Sequence, residues 1–297
     1  MYSDVTKPVP KKGEVLIRIR AASVNAADYR SLKMGLIPKK KIFGADIAGI
    51  IEEVGQNIQQ FKIGAEVIGD FSGNGFGGFA EYAVATEKVL VLKPKKISFE
   101  QAASLPMAAV TALQALRNKG KIQKGQKVLI IGCSGGVGSF AVQLAKYFGA
   151  VVTGICSTKN IEQTKSLGAD RVVDYTKEDF TKSDTKYDLV LAVHGNRPLS
   201  DYKKILNPNG TFVVIGGGLP QLFKSLLLGP LLSLGSKKIR TLMAKPNQTD
   251  LEFIAKLVEN GVIRPVIDRS YPLEKAVGAM RYIGEGHASG KVVINVT

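Results

Sequence analysis

The apolar run Lys127-Val128-Leu129-Ile130-Ile131 ends in Gly132, and further glycines follow at 135, 136 and 138. An amphipathic helical stretch, residues 137–148, begins at once. A strand, a Gly-x-x-Gly-x-x-Gly turn and a helix in direct succession suit a bound pyrophosphate. Gly132 permits a tight exit from the strand, and Gly135 and Gly136 let the backbone approach the anion. Gly138 lets helix and strand pack closely. The helix start adds N–H groups without partners and the positive end of a dipole. The alternative is an ordinary glycine-rich βα turn; the βαβ pattern around it favours a dinucleotide.

The end of the next strand indicates which dinucleotide. An unphosphorylated ribose usually meets Asp or Glu there, about 20 residues past the glycines. Here the residues are Gly154-Ile155-Cys156-Ser157-Thr158-Lys159-Asn160, with no acid before Glu162. A hydroxyl and a cation suit a 2′-phosphate, Ser157 as a hydrogen-bond donor and Lys159 as a point charge. NADPH is therefore the expected cofactor. A solvated surface lysine is the plainer reading of Lys159.

The elements that must position these residues follow a regular pattern. Residues 127–131, 151–155, 171–173, 187–193 and 211–215 read as strands, with helices at 137–148, 160–167 and 250–260. Such alternation predicts a doubly wound parallel sheet, an α/β fold. The chain ends differ. Glu14–Arg20 alternates polar and apolar residues, 46–54 and 66–69 are further short β-type runs, and 262–267 and 291–296 resume that character around a helix at 273–283. Ser98 with Gln101 forms a capping-box start to an Ala-rich helical region that Pro106 interrupts. The expected division is a β-rich domain from residues 1–105 and 263–297, with a dinucleotide-binding Rossmann domain at 106–262.

Composition narrows the functional classes. The 297 residues include 41 Lys+Arg against 25 Asp+Glu, a formal charge of +16. Nucleic acid, an anionic membrane surface and a phosphate-rich cofactor are the partners such a charge suggests. Runs such as Lys39-Lys40-Lys41 and Lys93-Pro94-Lys95-Lys96 read as solvated surface. Cys133 and Cys156, with His194 and His287, are too few for a disulfide framework or a Cys-rich structural zinc site, which points to a reducing, cytoplasmic setting. Cys133 reads as a small filler, although the neighbouring helix N-terminus would lower its pKa. The beginning of the chain lacks the pattern of a secretory signal. The most apolar segment, residues 219–234, contains Lys224, Pro220 and Pro230 and falls short of the roughly 20 apolar residues of a spanning helix.

Beyond these readings, the chain resembles the zinc-free branch of the medium-chain dehydrogenase/reductase superfamily, the quinone oxidoreductases and enone (alkenal) reductases. The resemblance rests on Ala22-Ser23-Val24-Asn25-Ala26-Ala27-Asp28-Tyr29, Gly44-Ala45-Asp46-Ile47-Ala48-Gly49, Phe79-Ala80-Glu81-Tyr82 and Ala102-Ala103-Ser104-Leu105-Pro106 with Thr111-Ala112. It continues through the glycine loop, Leu167-Gly168-Ala169-Asp170 and Gly286-His287-Ala288-Ser289-Gly290-Lys291-Val292-Val293. It implies that the β-rich domain is GroES-like and that the protein is a homodimer. It also implies that Asn25, Thr111, Ser134, Gly135, Gly136, Val137, Ser157, Lys159, Tyr175, His194, Gly195, Asn196, Gly216 and Lys291 line the NADPH site. Asn25, Tyr29 and Arg30 stand on the substrate side, with Tyr29 or water as proton donor. Plainer alternatives remain: Tyr29 as a packing residue, Tyr175 as a surface aromatic, His194 as a satisfied structural histidine.

The zinc alcohol dehydrogenases of this superfamily hold zinc with Cys and His where this chain has Asn25 and Ala45. No metal is expected. Without a Lewis acid to ionise an alcohol, hydride delivery to quinones or α,β-unsaturated carbonyl compounds is favoured. Two departures stand out. A further strand that usually precedes Lys7-Pro8-Val9-Pro10 is missing, and the segment 222–232 is unusually apolar. That segment suits a pocket cover or a dimer contact, with weak peripheral membrane contact as the lesser reading. The competing functional class is a non-catalytic NADPH-binding redox sensor or a nucleic-acid-binding, crystallin-like relative. High positive charge is its only support. No nucleic acid is expected, because helix-turn-helix and interleaved aromatic–basic signals are missing.

Overall fold

Ile17 and Ile19 point into a core while Arg18 and Arg20 face out, so the predicted alternation folds as strand β1 (Glu14–Val24). From Ala21 onward both faces are buried. Helix α1 (Ala26–Lys33), strands β2 (Asp46–Val54), β3 (Glu66–Asp70), β4 (Tyr82–Thr86) and β5 (Leu90–Leu92), and helices α2 (Phe99–Ala103) and α3 (Pro106–Leu113) follow. This is a computed structural model in which residues 3–38, 40–216, 225–227, 229, 233 and 235–296 are described. The capping box is present: Gln101 N donates to Ser98 Oγ at 3.2 Å and Ser98 N to Gln101 Oε1 at 3.1 Å. Pro106 opens α3 because its missing N–H costs nothing at a first helical position.

The chain then alternates β6 (Lys127–Ile131), α4 (Gly136–Tyr147), β7 (Val151–Cys156), α5 (Ile161–Ser166), β8 (Arg171–Asp174), β9 (Tyr187–Ala192), α6 (Leu199–Lys204), β10 (Leu206–Val214) and β11 (Lys238–Thr241). It closes with α7 (Gln248–Glu259), β12 (Ile267–Pro272), α8 (Ala276–Gly284) and β13 (Lys291–Asn295).

Two compact units result. Residues up to Val110 join those from Lys245 in one, and Thr111–Ala244 form the other. The first holds a seven-stranded sheet, β12-β13-β1-β2-β3-β5, with β4 paired to β1. Its core includes Ile17, Ile19, Ile47, Ile51, Phe71 and Ile294. The second holds a parallel sheet in the order β11-β10-β9-β6-β7-β8. Counted within the unit this is the order 3-2-1-4-5-6 of a dinucleotide fold, which reverses between β6 and β9. Tyr202 and Phe212 stack 4.3 Å apart in its core.

The α/β class with a Rossmann sheet and a GroES-like β-rich part is as read from sequence, while several details differ. The units change over at Val110 and Lys245, not at 105 and 262. Helix α7 belongs with the first unit, where Gln248 Nε2 donates to Leu90 O at 2.8 Å and Lys96 Nζ to Glu259 O at 3.1 Å. The late strand starts at Ile267 and not at 262, because Pro265 has no N–H for a ladder. Lys93 is not a solvated lysine. It is 8% exposed, 3.1 Å from Glu66, and its Nζ lies 5.1 Å from the centre of the Phe99 ring. The apolar segment 219–234 lies mostly outside the described residues, as does Lys39. Among the described residues no helix is long and apolar enough to cross a membrane.

Candidate active site

In the second unit, the sequence candidates that follow strands sit at one edge of the sheet. Ser134–Val137 follow β6, Ser157 and Lys159 follow β7, Tyr175 follows β8, His194–Asn196 follow β9 and Gly216 follows β10. The carboxyl ends of parallel strands at the point where strand order reverses are where an open α/β sheet binds ligands. Gly132 leaves β6 with φ +79°, and the N–H groups of Gly132 and Cys133 both donate to Ile155 O, at 3.1 and 3.2 Å. The turn is thereby pinned to β7. His194 N donates to Ile131 O at 3.3 Å, which brings the β9 loop beside the glycines. Gly138 has no room for a side chain: a Cβ there would lie 2.0 Å from Gly132 O and 2.7 Å from Cys133 Cα. The first turn of α4 is therefore pressed onto the loop, with its N–H groups free of helical partners.

The 2′-phosphate candidates are tied to this loop by a residue the sequence reading missed. Asn160 Nδ2 donates to Ser134 Oγ at 3.0 Å and to Ser157 Oγ at 3.3 Å, and Gln163 Nε2 donates to Ser134 O at 3.2 Å. Lys159 is exposed in the turn Thr158–Asn160. Asp174 is the acid nearest in the fold to that turn, but donors satisfy it. Thr158 Oγ1 donates to Oδ2 at 2.5 Å, and Thr176 donates to Oδ1 through N at 3.0 Å and Oγ1 at 2.7 Å. These hydrogen bonds, Thr158 first, hold its carboxyl below the usual carboxylate range.

Tyr175 is 56% exposed. His194 and Asn196 are exposed. Gly195, Gly216 and Thr111 are buried. Asn196 N is fixed by Tyr202 Oη at 3.3 Å, and Gly216 N donates to Ala192 O at 3.2 Å.

The first unit contains a buried polar cluster built on β1, β2 and β13. Lys291 Nζ donates to Asn25 Oδ1 at 2.6 Å and approaches Asp46 Oδ2 at 3.3 Å. Asp46 Oδ2 also accepts from Asn25 Nδ2 at 2.9 Å and Ser23 Oγ at 3.0 Å, and Oδ1 accepts from Met107 N at 2.9 Å. Asp46 is 0% and Lys291 3% exposed, so four donors surround a carboxylate shut off from water. Asp28 accepts from Asn25 N at 2.8 Å and Gly44 N at 3.3 Å, which joins the start of α1 to the entry of β2. Burial pushes the Asp28 carboxyl up to about 7, with Asp46 adding to the effect against those two N–H bonds. Asp70 is pushed up to about 6, again by burial and then by Asp46.

Of the substrate-side candidates, the structure gathers Asn25 with Lys291. Tyr29 is half-buried, with its ring packed on Gly284 of α8, where a Cβ would meet Tyr29 Cζ at 2.4 Å. Arg30 beside it is half-buried too. Asp28, Asp46 and Ser23 were not among the sequence candidates, although all three lie in the motif segments. The available signal was an acid opening an apolar strand, which must find a cation or donors once buried.

The fold and these sites define a nicotinamide-dinucleotide dehydrogenase architecture, and comparison with known proteins agrees. The family model of the alcohol dehydrogenase GroES-like domain matches residues 11–95, and that of the zinc-binding dehydrogenases matches residues 167–294. The chain belongs to the medium-chain dehydrogenase/reductase family. Its relatives there include the chloroplast envelope quinone oxidoreductase homolog of Arabidopsis thaliana, 37% identical over 99% of this chain and 93% of that protein. The chloroplastic NADPH-dependent alkenal/one oxidoreductase of the same plant is 32% identical over 99% of this chain and 75% of that protein. The solved quinone oxidoreductase from Coxiella burnetii superposes with a TM-score of 0.88 at 31% identity, covering 99% of this chain and 94% of that one. The protein is an oxidoreductase of this family.

Proposed function

We propose that the protein is an NADPH-dependent, zinc-independent reductase that delivers hydride to quinones or α,β-unsaturated carbonyl compounds. The observation that carries this reading is the cluster at Asn25. Where zinc enzymes of the family place Cys and His, this chain has an amide and a methyl group, and the Lys291 ammonium lies 2.6 Å from Asn25 Oδ1. A cation already bonded to the amide and the Asp46 carboxylate does not fit a zinc ligand set. Among the described residues no group of three His, Cys, Asp or Glu could hold a metal. The relatives' names, quinone oxidoreductase and alkenal/one oxidoreductase, support the acceptor class.

The glycine cradle, crowded so that no Cβ fits at Gly138, suits a dinucleotide. Bound NADPH would supply hydride from nicotinamide C4. Backbone N–H groups of Ser134–Val137 would hold its pyrophosphate, Ser157 and Lys159 its 2′-phosphate, and Tyr175, Thr111, His194–Asn196 and Gly216 its remaining length. The family resemblance assigns Asn25 and Lys291, a fixed amide and ammonium in the first unit, to the reacting end of the cofactor, and Tyr29 and Arg30 to the acceptor. The protein's contribution is orientation of reactants and polarisation of the acceptor oxygen. Two free thiols suit a reducing compartment such as the cytoplasm, and the edge strand β11 suits pairing in a homodimer.

The cofactor assignment has a direct test. Lys159→Glu should raise the KM for NADPH about tenfold or more, the order expected for losing one charge-assisted contact, and leave that for NADH within about twofold. Equal changes for both cofactors would refute the 2′-phosphate role.

A further inference from the structure

The chain's only two cysteines meet in the dinucleotide unit, with both thiols free and buried. Cys133 stands in the glycine loop, and Cys156 ends β7 directly before Ser157. Pairing of β6 with β7 and the hydrogen bond from Cys133 N to Ile155 O bring the two together. Thr164 Oγ1 lies 3.5 Å from Cys133 Sγ and 3.6 Å from Cys156 Sγ, so both sulfurs gather around one hydroxyl. Gly154 makes the room, since a Cβ there would come within 2.8 Å of Cys133 Sγ.

The two sulfurs are chemically unlike. Cys156 beside it and burial push the Cys133 thiol well up, opposite to the direction anticipated from the helix N-terminus. Cys133 and the Thr164 hydroxyl draw Cys156 down to about 7. A thiol drawn down beside one pushed up suits an attacking and a resolving cysteine. Cys156 also lies one residue below the half-buried Ser157 and the exposed Thr158–Lys159 turn, a short route for a small oxidant.

We propose that Cys133 and Cys156 form a redox-active dithiol that a hydroperoxide converts to a disulfide, closing the dinucleotide cradle to its cofactor. The Cys156 thiolate attacks the peroxide oxygen, giving a sulfenic acid and releasing an alkoxide, or hydroxide from hydrogen peroxide, which takes up a proton. The Cys133 thiol then displaces water from the sulfenic sulfur. Two thiols lose two electrons and two protons, and the hydroperoxide becomes an alcohol, or water, plus water. The S–S bond of about 2.05 Å is much shorter than any contact between two unbonded sulfurs, and both thiols are free, so the loop must move. It cannot move freely, because Cys133 Cα already presses on Gly138 at the start of α4. The effect on binding rests on the NADPH reading above; formation of the bond does not.

The test treats the 297-residue protein with hydrogen peroxide, blocks residual thiols with iodoacetamide and reads intact and peptide mass. NADPH affinity is followed in parallel by nucleotide fluorescence. The expected product lacks two hydrogens, takes no alkyl group, yields one peptide linking Cys133 to Cys156, and binds NADPH about tenfold or more weakly. Dithiothreitol should restore the affinity, and neither Cys133→Ala nor Cys156→Ser should show a reversible loss. Alkylation of both cysteines after peroxide, or a linked product with unchanged affinity, would overturn the proposal. Failure of the reduced protein to bind NADPH, with the link still formed, would instead remove the cofactor reading and leave the dithiol standing.

Discussion

Lys291→Met is expected to destabilise the first unit by about 3–5 kcal/mol, the cost of leaving a buried carboxylate without its cation. Met keeps most of the stem volume, so the effect isolates the charge. Asp46, at 0% exposure, would keep Ser23, Asn25 and Met107 as donors and lose Lys291, the cation that meets its Oδ2 at 3.3 Å. The double variant Asp46→Asn with Lys291→Met should recover more than half of the loss. An amide at 46 can still accept from Met107 N, and Asn25 can turn its own amide to match. Urea unfolding followed by circular dichroism checks this, because the chain has no Trp to report. A loss below about 1 kcal/mol in the single variant would show that the pair is solvated in solution.

Gly138→Val is expected to abolish dinucleotide binding and to cost about 3 kcal/mol or more of stability in the second unit. The reason is backbone against backbone. The added Cβ would lie 2.0 Å from Gly132 O and 2.7 Å from Cys133 Cα, and no flexible side-chain end can yield there. Either α4 lifts from the loop or the loop moves, and both displace the N–H groups proposed to hold the pyrophosphate. Gly235→Ala is the control, since nothing lies within 4 Å of a Cβ at that position. It should stay within about 0.5 kcal/mol of the parent. Equilibrium dialysis with NADPH reads the first effect, and undiminished binding by Gly138→Val would contradict the placement of the loop.

What the sequence made legible were features governed by local rules. The glycine spacing of the βα turn, the Ser98–Gln101 capping box and the strand–helix alternation each depend on residues a few positions apart. What escaped depends on residues brought together by the whole fold. Asp46 and Lys291 are separated by 245 positions, and nothing in either neighbourhood announces the other. Cys133 illustrates the same limit. Proximity to a helix start argued for a lowered pKa, while a second thiol arriving from β7 reverses the direction. Strand β11 was missed because Lys238-Ile239-Arg240-Thr241 fully buries only Ile239 and carries two charges, as an edge strand can. Lys93 misled in the opposite way. A lysine run reads as solvent-facing, but a single member can bury its stem over Phe99 and reach Glu66.

Hydride transfer from NADPH to an electrophilic acceptor without a metal is the chemistry expected of this protein. It is tested most directly by following loss of NADPH absorbance with a panel of quinones and enones, using protein dialysed against a chelator. Turnover with at least one acceptor is expected, with slower turnover on NADH and no change on chelation or on adding zinc. Absence of NADPH oxidation with every acceptor, or activity lost to the chelator and restored by zinc, would contradict it.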